Sequence, residues 1–317
     1  MLGAAHKPGA MPLRPLGIGD MYDAAFRIIR FNPRATVGSA VLVAAVSMAI
    51  PVLVTAALTG VVDLSAGRAG GDLSTAEAIG YLASAGSLVL GSLLQSVGLV
   101  LVTGMVAHVA SAAAIGRRLS LGEAWAATRG SRWRLVGLTV LLAALVSVLL
   151  VAYAALWVLV VVLAPTWAIV VFGVATVPAF VALLCWFWVR VYYLPVPALM
   201  IERIGVTAAI GRGFRLTRRQ FWRTFGIGLL TVVIGSIAGG ILAAPFTIGT
   251  QVTALVMADS RYVVLVGVVL TAVGTVVQTA FVTPFVAAVT SLQYLDQRMR
   301  KEAYDVELMQ QAGITAS

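Results

Sequence analysis

The chain has 317 residues, of which 61% are hydrophobic and only 11% are charged, and its mean hydropathy is +1.01. Soluble domains carry about a quarter charged residues, so this composition excludes an ordinary soluble fold of this length and favours a membrane protein. The formal net charge is +10, but no recognition motif accompanies the basic residues, which argues against a nucleic-acid partner.

The chain opens with a mixed segment that is unlike a cleaved signal peptide. Residues 1–16 are predicted to form a disordered cytoplasmic tail. The first long uncharged run, 35–62, begins well inside the chain. This run is about twice as long as the apolar core of a signal peptide. We therefore interpret it as the first membrane span and expect the N-terminus to be retained.

Further uncharged runs are each long enough to cross a hydrocarbon core, which takes roughly 20 residues. The run from Leu135 to Val189 accommodates two spans, with Ala164–Pro165 as the turn because proline breaks a helix. In total the sequence predicts six transmembrane helices, at 35–62, 79–115, 135–163, 166–194, 225–256 and 262–293.

A short basic, amphipathic segment recurs before each pair of spans. We call these segments elbows; they cover 17–34, 120–134 and 205–223. In the first elbow Met21, Ala25 and Ile28 form an apolar stripe, whereas the arginines lie largely off it. A helix of this type lies in the membrane interface with its apolar face down.

The elbows and spans together define the expected fold class. The sequence predicts an all-α membrane protein, built as three repeats of an interfacial elbow helix plus a two-span hairpin. The transmembrane domain covers 17–293 and is followed by a cytoplasmic C-terminal tail at 294–317.

The basic residues predict the orientation. Arg68 and Arg261 are the only two of the 22 Lys and Arg residues that fall on the opposite side of this topology. The positive-inside rule then places both termini in the cytoplasm and the protein in the plasma membrane. The elbows are expected to bind anionic lipid of the inner leaflet. The candidate headgroup-binding or structural residues are Arg27, Arg30, Arg34, Arg132, Arg134, Arg190, Glu202, Arg215, Arg218, Arg223 and Trp222.

A few polar residues fall within the spans. Arg190 is about one turn from the end of the fourth span, so it can extend to the interface, and Glu202 is its candidate partner. Gln95, His108, Gln251 and Gln278 are expected to make hydrogen bonds between helices. His108 is also a candidate for proton relay or ligand binding.

Catalytic and metal-binding patterns are not found in the sequence. Cys185 is the single cysteine, which excludes a disulfide framework, and there is no phosphate-binding glycine loop or nucleophile elbow. We therefore expect no enzymatic activity, no metal and no cofactor.

Parts of the sequence resemble a bacterial membrane family. They are the region that contains 189–202 and 211–226, and the opening segment Pro12–Asp20. The chain is similar to the multi-pass proteins, common in actinobacteria, that are related to the membrane domain of glycerophosphoryl diester phosphodiesterases. In those enzymes a separate domain carries the catalytic histidines and acids, and nothing in this chain matches it. The resemblance implies a multi-pass membrane architecture and no assigned activity.

The sequence leaves several functions open. The first is a non-catalytic scaffold or accessory protein in a membrane, envelope or lipid-related process, with a possible protein partner encoded nearby. The second is a transporter or permease-like protein for a lipid or small amphipathic solute, which a shared polar cavity of Gln95, His108 and Arg190 would favour. Others are the anchor-type domain of a phosphodiesterase without its catalytic part, and an enzyme acting on lipid headgroups.

Overall fold

The computed structural model describes residues 9–61, 75–258 and 260–311, and every regular element in these ranges is helical. The helices are α1 (Ile18–Phe31), α2 (Ser39–Thr59), α3 (Thr75–Ala114), α4 (Leu121–Ala127), α5 (Arg132–Leu163), α6 (Thr166–Phe187), α7 (Pro195–Glu202), α8 (Val206–Thr217), α9 (Phe221–Val256), α10 (Val263–Glu302) and α11 (Tyr304–Gln311). Two π-helical turns also occur in these ranges: Arg34–Gly38 leads into α2, and Trp188–Tyr192 continues α6.

Six stretches are long and apolar enough to cross a membrane, with lengths of 26 to 40 residues. They are Arg34–Thr59, Ala78–Ala114, Arg132–Leu163, Thr166–Glu202, Phe221–Val256 and Val263–Glu302. Their number and order confirm the prediction of an all-α, multi-pass membrane protein.

The predicted turn between the third and fourth spans is confirmed. α5 ends at Leu163, Ala164 adopts an extended conformation, and Pro165 precedes the first residue of α6. Proline has no N–H to continue the hydrogen bonding of α5, but its fixed φ suits the start of the next helix.

α10 is the central helix of the bundle and packs on α9, α2 and α3. Small residues permit the close approach of α9 and α10. A Cβ atom added to Gly239 on α9 would lie only 2.8 Å from Nε2 of Gln278 on α10. Close packing of this kind is the main source of helix association in membranes.

The α5–α6 hairpin stands apart from the other long helices. α5 buries only Leu135, Leu138 and Leu142 at its beginning, and none of the described side chains of α6 is buried. The two helices contact each other partway along the hairpin, where the Tyr153 and Phe180 rings stack with their centroids 3.9 Å apart. Most of this hairpin is therefore left to be covered by lipid.

The expectation of a disordered tail over 1–16 is wrong for residues 9–16, and residues 1–8 lie outside the described ranges. Met11 and Leu16 are fully buried, and the Ala10 amide donates to the Ala113 carbonyl at 2.8 Å. The apolar side chains between Ala10 and Leu16 anchor this segment on the bundle, which composition alone does not reveal.

The predicted start of a C-terminal tail at 294 is also wrong. α10 continues without interruption to Glu302, and Tyr294, Leu295 and Asp296 are fully buried. The helix ends at Ala303, which has a φ of 51°. The polar residues after 293 extend α10 because they pair with other parts of the protein, as described below.

Candidate functional site

The three short helices of the elbows, α1, α4 and α8, lie at one end of the bundle, which we call the basic end. α1 packs on α10, α4 packs on α3 and on the π turn before α2, and α8 packs on α7 and on the π turn after α6. α1 thus covers a helix from the far end of the chain, whereas α4 and α8 each cover an element that directly precedes them.

α1 is amphipathic in the way that the sequence predicts. Met21, Ala24, Ala25 and Ile28 are buried, whereas the arginines of the helix are exposed. Gly17 is the N-cap, and its amide donates to the Asp20 carboxylate at 3.2 Å. An acidic residue in the first turn also interacts favourably with the helix dipole.

A buried carboxylate joins the N-terminal segment to α9 and α10. The Asp296 side chain is fully buried and accepts a hydrogen bond from the Leu16 amide at 2.7 Å. Arg223 and Arg300 both pair with Asp296, and both also donate to the Leu16 carbonyl, at 2.7 and 3.0 Å. Arg223 is therefore a structural residue.

A second ion-pair network joins α7, α8 and α10. Nη2 of Arg212 donates to Glu202 at 2.7 Å and to Glu302 at 2.6 Å, and Arg298 donates to Glu302 at 3.1 Å. Burial opposes the charge of Arg212, but the hydrogen bonds that it donates to Glu302 and Glu202 raise its pKa above the ordinary value. The Tyr294 hydroxyl donates to the same Glu202.

The hypothesis that Glu202 pairs with Arg190 is therefore wrong. Pro195 starts a separate helix, α7, which carries Glu202 away from the π turn and towards Arg212. Arg190 instead lies against the Phe214 and Phe221 rings, with its guanidinium carbon 5.0 and 5.9 Å from their centroids. Its Nε is buried without a hydrogen-bond partner in the described part of the chain.

Two arginines of the second elbow, Arg132 and Arg134, make contacts within the protein. Arg132 stacks 3.8 Å over the Trp125 ring and donates to Thr128 and to the Trp125 carbonyl. Arg134 donates to the Arg203 carbonyl at 3.3 Å, which ties the start of α5 to the end of α7.

The remaining elbow arginines have fewer contacts. Arg27 pairs with Asp23 on the surface of α1, at 3.0 Å. The side chains of Arg30, Arg34, Arg215 and Arg218 have no ion-pair partner among residues 9–61, 75–258 and 260–311, and Trp222 is 78% exposed. These side chains are available to groups outside the protein.

The predicted intramembrane polar residues do not form one site. Gln95 donates to Thr279 at 3.0 Å, which is an inter-helix hydrogen bond as predicted. His108 is thirteen residues further along α3, or about 20 Å, and Arg190 lies elsewhere against α8. Gln251 and Gln278 both line a 270 Å³ cavity between α9 and α10.

Two apolar grooves of about 390 Å³ each adjoin elbow helices. The α1 groove is bounded by Phe26 and Ile29 of α1, by Val37, and by residues of α9 and α10. The α4 groove lies between α2, α3 and α4 and includes Met105 and Trp125. Sequence reasoning missed both grooves, although the position of Phe26 outside the apolar stripe of α1 was a signal.

Within the described residues there is no group of three or more His, Cys, Asp or Glu side chains that could hold a metal ion. The carboxylates at the basic end, Glu202, Asp296 and Glu302, are held by arginines. The arrangement can bind anions and apolar chains, because its free groups are guanidinium groups beside apolar grooves.

Comparisons with protein-family models, with curated proteins and with solved structures find no match to this chain.

Proposed function

We propose that this protein is a non-catalytic membrane protein that binds anionic lipid through its elbow helices. It acts as a scaffold or accessory in a lipid- or envelope-related process, with a protein partner among its possible contacts. The observation that carries the proposal is that the arginines at the basic end have two different kinds of surroundings. Arg132, Arg212 and Arg223 hold the protein together, whereas Arg30 and Arg34 face outwards.

In the proposed topology the protein lies in the plasma membrane and both of its termini are in the cytoplasm. The support is that the described basic residues lie at the basic end, apart from Arg261, which donates to the Thr59 carbonyl at the other end. Retention of basic segments on the cytoplasmic side follows the positive-inside rule.

The proposal also includes the three repeats and the relation to the phosphodiesterase membrane domain. The pattern of contacts supports the repeats: α4 packs on the first hairpin, α8 on the second and α1 on the third. α4 and α8 thus each contact the hairpin that precedes them in the chain. α1 contacts the last hairpin, which would precede it if the three units formed a closed ring.

Site-directed labelling tests the topology. In a Cys185→Ser background, single cysteines at Arg129, Arg219 and Arg261 are treated with a membrane-impermeant maleimide in intact cells and in inside-out vesicles. We expect Arg261→Cys to be labelled from outside, and the other two only in inverted vesicles. Labelling of Arg129→Cys and Arg219→Cys from opposite faces would contradict the topology.

Lipid binding is tested with the full-length protein in nanodiscs that contain phosphatidylcholine and phosphatidylglycerol. We expect phosphatidylglycerol to be enriched among the lipids that stay bound after mild detergent extraction. Equal retention of the two lipids would contradict lipid recognition by charge.

Transport of a lipid or amphipathic solute is the second candidate. A 300 Å³ cavity, lined by Thr103, Thr139, Tyr193 and Thr290 among others, adjoins the α5–α6 hairpin that stands apart from the bundle. Vesicles containing a fluorescent phospholipid are treated with an impermeant quencher. Quenching beyond the outer leaflet, only when the protein is present, would support transport over the scaffold role.

A further inference from the structure

We propose that the α1 groove together with Arg30 and Arg34 binds one anionic phospholipid, with an acyl chain in the groove and the phosphate on the two guanidinium groups. This inference rests on the proposed function, because it places the binding of anionic lipid at one site. It assigns that binding to the first elbow rather than to the basic end as a whole.

The groove has the shape and chemistry for an acyl chain. Ile234, Ala238 and Leu242 line it at intervals of four residues along one face of α9, which spans about 12 Å. Phe281 and Phe285 of α10 form the facing wall, and the lining is almost entirely apolar. A chain held here contacts protein along its length and keeps its other end near α1.

Two cations are close in sequence to residues of this groove, and one of them, Arg30, also lines a neighbouring 500 Å³ cavity on the Arg27 side of α1. Arg30 is four residues after Phe26, so the two side chains are neighbours on the surface of α1. Arg34 begins the π turn that also contains Val37, another residue of the groove. Both arginines are exposed, and neither has an ion-pair partner in the described part of the chain. Guanidinium groups bind phosphate through paired hydrogen bonds.

The other two elbows differ from the first. The α4 groove has an equal volume, but Arg132, which stacks on the Trp125 ring of this groove, also donates to Thr128. Arg129 of the same elbow is exposed but lies beyond the end of α4. On α8, Arg212 is held by two carboxylates, and no α8 residue lines either apolar groove. At α1, by contrast, an apolar groove is accompanied by two exposed arginines of the same elbow.

The lipid class follows from the charges around the groove. Asp23, the acidic residue nearest to the two arginines on α1, already pairs with Arg27. No carboxylate is thus left beside Arg30 and Arg34 on α1 to receive the ammonium group of a zwitterionic headgroup. A phospholipid with a net negative charge satisfies both cations, whereas phosphatidylcholine adds a positive group next to them.

The test measures the affinity of the full-length, delipidated protein for phosphatidylglycerol by native mass spectrometry, with phosphatidylcholine as the comparison lipid. The double variant Arg30→Gln, Arg34→Gln removes the phosphate contacts, and Ala238→Phe fills the groove. The controls are Arg129→Gln, an exposed arginine of the second elbow, and Leu255→Phe, an 80% exposed position at the far end of α9.

We expect each test variant to weaken phosphatidylglycerol binding by about tenfold or more. The double variant loses the contacts of the phosphate to two surface cations, and Ala238→Phe loses the space that the acyl chain occupies. The controls should leave binding within about twofold of wild type, well below that tenfold step. Thermal melting of every variant is measured in parallel, and Arg30→Lys with Arg34→Lys should recover part of the affinity through charge alone.

Two results would overturn the proposals separately. If wild type prefers phosphatidylglycerol but both test variants retain that preference, the α1 site is wrong and lipid binding through the elbows stands. If wild type shows no preference for phosphatidylglycerol, the proposed function itself fails. If a test variant melts at a lower temperature than wild type, the site is tested instead on the wild-type protein with a photoactivatable phosphatidylglycerol. Failure of this lipid to crosslink to the peptides of α1 or α9 rejects the site.

Discussion

Asp296 is a charged side chain that the structure fully buries, and it is stabilised by partners from two distant parts of the chain. Its carboxylate receives the Leu16 amide from 280 residues away and Arg223 from 73 residues away. Charges are tolerated at such depth only when they are paired and hydrogen-bonded. Arg300, one helical turn further along α10, also pairs with Asp296, and this spacing favours an ion pair on a helix.

Asp296→Asn should destabilise the protein by about 3 kcal/mol, because it leaves Arg223 and Arg300 without their shared counterion. The free energy of unfolding is measured in detergent by chemical denaturation. Asp23→Asn is the matched control, since the Asp23–Arg27 pair is about half exposed, and it should cost under about 1 kcal/mol. Equal effects of the two substitutions would mean that the Asp296 network does not hold the basic end together.

Gly228 of α9 shows how closely a residue without a side chain lets two elements approach. A Cβ atom at this position would lie 2.7 Å from the Trp188 ring, whereas one at Gly226 would meet nothing within 4 Å. Neither difference can be read from the sequence, because the two glycines lie in the same apolar run.

Gly228→Ala should therefore destabilise the protein by about 1–3 kcal/mol through overpacking. Gly226→Ala is the control and should be neutral or stabilising, since alanine favours a helix by about 1 kcal/mol over glycine. Thermal melting in detergent distinguishes them, and equal melting temperatures would show that Trp188 can move away at no cost.

At the scale of elements, α4 is a two-turn helix that depends on its first residues. The Glu123 carboxylate accepts hydrogen bonds from the amide and hydroxyl of Ser120, at 2.7 and 2.8 Å, and the two residues form a capping box. The backbone hydrogen bond from Ser120 is the main reason that the pKa of Glu123 lies below its ordinary value.

The depressed pKa gives a definite pH dependence. Glu123 stabilises α4 above the carboxyl pKa of the unfolded chain, and this contribution is lost as the pH falls through the lower, folded value. Amide protection of α4, corrected for intrinsic exchange, should thus decrease on acidification below about pH 4. In Glu123→Gln this step should be absent; its persistence would assign the transition to another group.

The sequence predicts the number and order of the long helices better than it predicts their ends or their packing. All six spans follow from uncharged runs, and the Ala164–Pro165 turn follows from proline chemistry. The ends at the basic side did not follow: α9 begins at Phe221, so the third elbow ends before Arg223, and α10 passes 293. Polar residues at these ends are helical because of tertiary ion pairs, which hydropathy does not register.

The whole molecule is asymmetric, with α10 surrounded by other helices and α6 exposed along its length. The sequence could not reveal this difference, because the uncharged parts of both helices are apolar all round and lipid and protein interiors select similar side chains. The α1 groove escaped prediction for the same reason, since it is formed by residues from three distant segments.

This asymmetry predicts different tolerance to the same substitution. Val289→Ala on α10, where the side chain is fully buried, should lower the melting temperature in detergent. Val174→Ala on α6, where the side chain is 73% exposed, should leave it nearly unchanged. A comparable loss at Val174 would show that α6 is packed against another protein surface rather than lipid.

The clamp between Leu16 and Asp296 has a consequence for biosynthesis. Asp296 follows Leu16 by 280 residues, so a ribosome must add all of these before the partner of Leu16 becomes available. During that interval Arg223 and the segment around Leu16 remain open to chaperones and proteases at the translocon. Nascent chains that stop short of Asp296 should consequently be degraded faster than chains that end just after Glu302, even though both contain the uncharged part of every span.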